Sequence, residues 1–228
     1  MGAPAPKQFI ALSGMPILAR TLSVFDAVPV VDHVVVVVPP GDEARCRATV
    51  VDPYGFTKVR AIVPGGAVRQ ESVIRGLEAI DRHASIVVTH DAARPLVTGS
   101  LVQRVVEVAG ASGAAVAALR VVDTLKRRTE DDGMVTTVDR ENLWVAQTPQ
   151  AFRVDVFREA VTRATADHFI GTDDASLVER LGIPVSLVDG EPLNFKITRP
   201  QDVLLAEEVL AKVRDRSTPA SAGVGEPS

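Results

Sequence analysis

The run Val34–Val38, five consecutive valines closed by Pro39 and Pro40, constrains the fold more than any other stretch of the chain. β-Branched side chains disfavour helix and pack well on a pleated surface. A strand that is apolar at every position must be covered on both faces, the situation of a parallel sheet flanked by helices. The proline pair ends it, because proline brings no N–H to a ladder. Short apolar runs at 58–63, 85–89, 114–119 and 185–188 predict further strands. Between the runs, Leu18, Leu22 and Phe25 fall at the period of a helix face, as do Val73, Leu77 and Ile80, and Leu101, Val105 and Val108. Thr98 and Ser100 are candidate caps for the third helix, and a last helix is expected over 200–213 with Pro200 in its first turn. The alternation predicts an α/β fold built on a Rossmann-like, mostly parallel sheet.

Residues 121–142 break that rhythm. They predict a β-hairpin arm turning at Glu130–Gly133, with Val121, Thr124 and Leu125 on one strand and Met134, Val135 and Val138 on the other. An arm projecting from a compact sheet is expected to meet a partner chain; a flap over the protein's own cleft is the alternative. The sequence from Arg216 onward, RSTPASAGVGEPS, is small, polar and broken by proline and glycine. Residues 215–228 are therefore expected to be a disordered tail behind one domain at 1–214.

Composition excludes several classes. With 46% hydrophobic residues the chain of 228 can bury a substantial core. Its 25 Lys and Arg against 29 Asp and Glu give a net charge of −4, the wrong balance for sequence-independent nucleic-acid binding. A local basic pocket for phosphate remains open. Cys46 is the single cysteine, so no internal disulfide forms, and no Cys/His group has zinc spacing. No apolar run approaches the ~20 residues of a membrane helix, and MGAPAPKQF lacks the apolar stretch of a secretory signal. A cytoplasmic protein without nucleic-acid or membrane partners is expected.

Ligands of open α/β sheets lie beyond the carboxyl ends of the strands, which selects four segments. In VPGGAVRQES, at 63–72, Gly65 and Gly66 let backbone approach a ligand, and Ser72 lies in the first turn of the next helix. An ordinary turn capped by Ser72 is the plainer alternative. In VTHDAARPLV, at 88–97, Asp91 is placed to hold a Mg²⁺ bridging phosphates and Arg94 to grip phosphate in a fork; a local Asp91–Arg94 ion pair is the plainer one. His90 beside them is expected to support the loop. Arg140 and Thr148 offer a guanidinium and a hydroxyl fit for a phosphomonoester. Trp144 is read as packing, and Gln147 and Gln150, flanking Pro149 in an expected turn, receive no chemistry. In LNFKITRPQD, at 193–202, Lys196 is either a solvated edge lysine or a cation that neutralises a transferring phosphoryl group. Thr172 is expected to cap a helix begun by Asp173 and Asp174, either of which can also meet the ligand. No hydrolase triad or Walker sequence is present.

Taken in order, PKQF, GGxxRxxSVxxGL, HDAARP, DTLK, TVDR, QTPQAF, TDDASL and NFKITRP resemble the 2-C-methyl-D-erythritol 4-phosphate cytidylyltransferase family over residues 6 to about 213. The resemblance implies a nucleotidyltransferase of the nucleotide-diphospho-sugar transferase fold type, with Mg²⁺, acting as a homodimer whose arms complete each other's sites. The reaction it implies joins CTP and methylerythritol phosphate into CDP-methylerythritol and pyrophosphate. By the same resemblance Lys7 binds the CTP phosphates, Gly66 and Ser72 hold cytosine with Gly65 shaping the turn, and Asp91 reaches the ribose side and the metal. Arg94 shares that pocket; Thr124, Arg140 and Thr148 grip the sugar phosphate, and Lys196 stabilises charge at the α-phosphorus. A ribitol-5-phosphate cytidylyltransferase and a catalytically silent nucleotide-binding paralogue are the alternatives. The family pattern also places a strand and a Gly-rich loop before the Pro-Lys dipeptide. Met1 is accordingly expected to be an internal methionine of a longer chain.

Overall fold

A computed structural model describes residues 6–128 and 133–217. The chain enters through a short antiparallel pair, β1 (Ala11–Leu12) and β2 (Met15–Pro16), and runs into α1 (Ile17–Ala27). The valine run is β3 (Val34–Val38). It pairs in parallel with β4 (Val59–Pro64), reached through the short helical turns α2 (Glu43–Cys46) and α3 (Asp52–Tyr54). Helix α4 (Arg69–Glu78) follows, then β5 (Ile86–Thr89), α5 (Gly99–Ser112) and β6 (Ala114–Arg120). Thr98 caps α5, its hydroxyl accepting the Leu101 N–H at 3.2 Å.

Strand β6 shows how the sequence sets the layers. Ala115 and Ala117 face α5 and pack with Val102, Val105 and Ala109. Ala114 and Val116 face the other way, towards Phe157, Ala160, Val161 and Ala164 of α6 (Val154–Ala166) and Leu177 of α7 (Ala175–Glu179). Period-two alternation thus sends apolar residues to both faces, as a strand between two helical layers requires. Helix α1 spans two clusters: Leu18 and Leu22 join Val36 and Val38 of β3, while Phe25 joins Leu101 and Val105 of α5.

Strand β9 (Trp144–Arg153) is the main departure from expectation. The proline in QTPQAF predicts a turn, yet the segment is a ten-residue strand lying antiparallel between β6 and β5. The Thr148–Pro149 bond is cis, and the β6–β9 register shifts between Val116 and Ala118 beside it. Gln147 and Gln150 are buried there, their amides matched by internal partners, so polar residues that resembled a turn stand inside the sheet. With β10 (Ser186–Asp189) parallel to β6, the order is β10–β6–β9–β5. The fold is α/β and Rossmann-like with a mixed sheet. Among the described residues the β3–β4 ladder and the four-stranded ladder are separate, and no strand pairs between β3 and β5.

The arm is present as β7 (Leu125–Arg128) paired antiparallel with β8 (Val135–Val138). Most of its expected turn lies outside the described residues. The final helix, α8 (Pro200–Ser217), runs past the expected Val213: Arg214, Asp215 and Arg216 bring no helix breaker, and the first proline comes at 219. Residues 218–228 of the expected tail lie outside the described residues.

Phe157 is fully buried and stacks on Phe152 at 4.6 Å between ring centroids. Phe157→Ala is expected to lower stability by about 3–5 kcal/mol, read from urea unfolding. A loss under about 1 kcal/mol would contradict the packing between α6 and the sheet.

Candidate active site

The carboxyl end of β5 opens into the loop that carries Asp91. One Asp91 oxygen, Oδ2, lies 3.0 Å from Lys196 Nζ and 3.5 Å from Arg94 Nε. The other, Oδ1, lies 3.6 Å from Arg69 Nε. Backbone bonds place these groups. The Arg94 N–H donates to the Asp91 carbonyl at 3.0 Å, closing the loop, and the Ile197 N–H donates to the Ala93 carbonyl at 2.8 Å, pinning the Lys196 segment beside it. Arg94 Nη1 donates to the Asn194 carbonyl at 2.7 Å, and fully buried Asn194 donates in turn to the Thr148 carbonyl at 2.8 Å. Burial alone would raise the Asp91 pKa. The Lys196 hydrogen bond and the charges of Lys196, Arg69 and Arg94 outweigh it and hold the carboxyl below its usual range. Burial lowers Arg94 below the usual arginine value, yet a guanidinium keeps its charge at neutral pH.

The glycine loop reaches the same end of the sheet from β4. The Gly65 N–H donates to the Val38 carbonyl at 2.7 Å, and the Gly66 N–H donates to Ser72 Oγ at 3.0 Å. Glu71 closes the loop by accepting the Ala67 N–H at 2.7 Å. A Cβ on Gly65 would stand 2.7 Å from Ser72 Oγ, and one on Gly66 2.2 Å from Glu71 Cβ. Only glycine permits this approach to the first turn of α4. Ser72 is engaged in holding the loop, its hydroxyl also reaching the Val68 carbonyl at 3.2 Å.

Thr148 is buried and joins the Asp91 loop, its hydroxyl accepting the Asp91 N–H at 3.0 Å and lying 3.1 Å from His90 Nδ1. His90 Nε2 lies 3.3 Å from the Arg94 carbonyl, which accepts only from an N–H, so the proton sits on Nε2 and Nδ1 accepts from Thr148. Lys7 is exposed and donates to the Thr198 carbonyl at 2.7 Å, two residues along the chain from Lys196. Thr124 and Arg140 are not brought into this cluster. Both are exposed at the base of the arm, where Arg140 bonds the Val122 carbonyl. Trp144 packs beneath Arg120, whose guanidinium lies 4.6 Å from the ring centroid.

Sequence reasoning passed over Arg69, Gln147, Gln150 and Asn194. Arg69 pairs through both terminal nitrogens with Asp174 at 2.7 Å. Gln150 donates to Asp173 at 2.8 Å and accepts the Ala175 N–H at 2.9 Å. Gln147 donates to the Glu191 carbonyl at 3.0 Å. The signal for Arg69 was its place inside the GGxxRxxS motif. The amides gave none, because their role follows from burial. A separate concavity of about 660 Å³ lies at the opposite end of β5, lined by Arg82, Ser85, Arg153 and Arg158, and none of the groups above reaches it.

An α/β sheet that gathers cations around one carboxylate beyond its strand ends, beside a glycine loop, has the architecture of a nucleotidyltransferase. A sequence profile of 2-C-methyl-D-erythritol 4-phosphate cytidylyltransferase matches residues 1–212, and the chain belongs to that family. A relative of that name from Geotalea uraniireducens is 49% identical, covering 93% of this chain and 92% of its own. One from Syntrophus aciditrophicus is 45% identical over 95% and 92%. The crystal structure of the Thermus thermophilus enzyme of that name superposes with a TM-score of 0.78 at 42% identity, covering 92% of this chain and 95% of its own.

Burial pushes His90 down from 6.5 to about 4, outweighing the Arg94 carbonyl and the Asp91 charge. Below about pH 6.5 the unfolded chain takes up a proton that folded His90 refuses, so stability falls with pH across that window and is constant above it. Between about pH 7.5 and 5.0 the wild type is expected to lose about 2 kcal/mol more than His90→Gln in urea unfolding. An equal loss in both would show that His90 is not held neutral.

Proposed function

We propose that this protein transfers a cytidylyl group from CTP to 2-C-methyl-D-erythritol 4-phosphate, releasing pyrophosphate, in the cytoplasmic synthesis of isoprenoid precursors. The observation that carries the reading is the Lys196–Asp91–Arg94 constellation beside the Gly65–Gly66 loop, in a chain of this family. An oxygen of the sugar phosphate attacks the α-phosphorus. A new P–O bond forms, the bond to the bridging oxygen breaks, and pyrophosphate leaves with the electron pair. The attacking phosphate is already ionised, so no general base is needed, and neutral His90 is not asked to be one. Positioning and charge neutralisation supply the rate.

Lys196 is the cation that meets charge developing on the transferred phosphoryl group, and Lys7 and Arg94 bind the remaining phosphate oxygens. Gly65, Gly66 and Ser72 shape the nucleoside pocket, the glycines by letting the loop close against α4. Thr148, whose buried hydroxyl is taken up by the Asp91 N–H and His90 Nδ1, supports the Asp91 loop, and Thr124 and Arg140 on the arm grip the sugar phosphate. Among the described residues no group of three or more His, Cys, Asp or Glu forms a metal cage. Asp91, an ionised carboxylate at the cleft, would be the residue to meet a Mg²⁺ carried by the triphosphate, in exchange for a contact to Arg69 or Lys196. When bound, that ion neutralises phosphate charge.

Val122 is 77% exposed, Val135 61% and Val145 55%, apolar surface that a second copy of the chain would cover. A homodimer in which each arm carries Thr124 and Arg140 to the partner's cleft accounts for their separation from Asp91 within one chain.

Pyrophosphate release with CTP, Mg²⁺ and methylerythritol phosphate tests the assignment. Lys196→Ala is expected to lower kcat by about 10²–10³-fold with a smaller change in KM for CTP. Turnover with ribitol 5-phosphate in place of methylerythritol phosphate would overturn the substrate, and an active Lys196→Ala would overturn the role of Lys196.

A further inference from the structure

Arg69 is the first residue of α4 and follows the glycine loop by three positions. Its Nη1 and Nη2 donate to Asp174 Oδ1 and Oδ2, each at 2.7 Å, a fork on a carboxylate that is only 1% exposed. Its third nitrogen, Nε, is then aimed at Asp91 Oδ1, the oxygen that Lys196 and Arg94 leave free. Gln70 strengthens the same junction, donating to the Phe169 carbonyl at 3.0 Å and accepting the Gly171 N–H at 2.9 Å. The loop that carries Asp174 is itself fixed to the sheet, because Asp173 accepts from buried Gln150 at 2.8 Å. Burial opposes the charge on Arg69, yet the Asp174 hydrogen bonds and the two carboxylates raise its pKa above the usual arginine value, so the guanidinium is held as a cation.

We infer that Arg69 is a positioning residue for the transfer reaction, anchored by Asp174 so that it fixes the rotation of the Asp91 carboxylate and ties the glycine loop to it. The inference rests on the function proposed above. Arg69 acts through Asp91 and touches neither substrate. With Asp91 Oδ1 held by Arg69, Oδ2 faces Lys196, and the phosphate-binding groups are set before the nucleotide arrives. Lysine at position 69 would keep a charge near Asp91 but lacks the planar fork that grips Asp174.

The test compares Arg69→Gln, Arg69→Lys, Asp174→Asn and the double variant Arg69→Gln/Asp174→Asn in the full chain. CTP binding is followed by calorimetry without the second substrate, and kcat and both KM values are followed by pyrophosphate release. Arg69→Gln and Asp174→Asn are each expected to weaken CTP binding and to lower kcat/KM for CTP roughly 10–100-fold, leaving KM for the sugar phosphate unchanged. Arg69→Lys recovers part of the loss. The double variant is no worse than Arg69→Gln beyond about twofold, because the two side chains act as one unit. Unchanged CTP binding in Arg69→Gln and Asp174→Asn would overturn the inference. So would an equal rise in both KM values with no rescue by lysine, the mark of a merely structural role. A wild-type chain that binds CTP but turns over neither sugar phosphate would sink the proposed function and leave the binding comparison to decide on Arg69.

Discussion

Asp91 carries one negative charge among three cations brought by separate segments, and the open end of the sheet is organised around it. Arg69 comes from the start of α4, Arg94 from the loop after β5, and Lys196 from the segment before α8. In isolation each cation would repel the others. With Asp91 between them and Asp174 behind Arg69, the cluster keeps one net positive charge while its members stay at hydrogen-bond or near hydrogen-bond range. That residual charge lies beyond the carboxyl end of β5, which suits an anion such as a triphosphate.

The rest of the structure holds those segments at the correct depth. Asn194 and Gln147 are buried and bond both backbone and each other, so the Lys196 segment is fastened to β9 and not left as a free loop. Gln150 does the same for the Asp173–Asp174 turn. The buried Gln147 and Gln150 amides are satisfied on both nitrogen and oxygen, whereas Asn194 Oδ1 has no partner among the described residues, and the satisfied groups fix one arrangement. The glycine loop works by the opposite means: side chains are absent where α4 and β3 come too close to admit them.

The strands and helices with uniform chemistry were legible in the sequence. Val34–Val38 and Ala114–Arg120 show buried strands because nearly every residue is apolar or small, and Leu101, Val105 and Val108 show one helix face. Asp91, Arg94 and Lys196 were legible because a charged residue beside a buried strand has few places to go. Strand β9 was not. Its proline and two glutamines carry the marks of a turn, and only their neighbours in space satisfy the buried amides. Arg69 was missed for a related reason: its partner Asp174 is 105 residues away, and nothing local to either signals the pair. Thr124 and Arg140 were read together with Thr148, yet within one chain the arm keeps them apart from it.

The open end of the sheet depends on Asp91 being an anion enclosed by cations. Carbon-13 NMR of the Asp91 carboxyl through an acid titration measures that state directly. The expected pKa lies below the ordinary aspartate value of 3.8, since Lys196, Arg69 and Arg94 outweigh burial. A value at or above 3.8 would mean that burial wins, that the three cations do not enclose the carboxylate in solution, and that the organisation of the site described above is wrong.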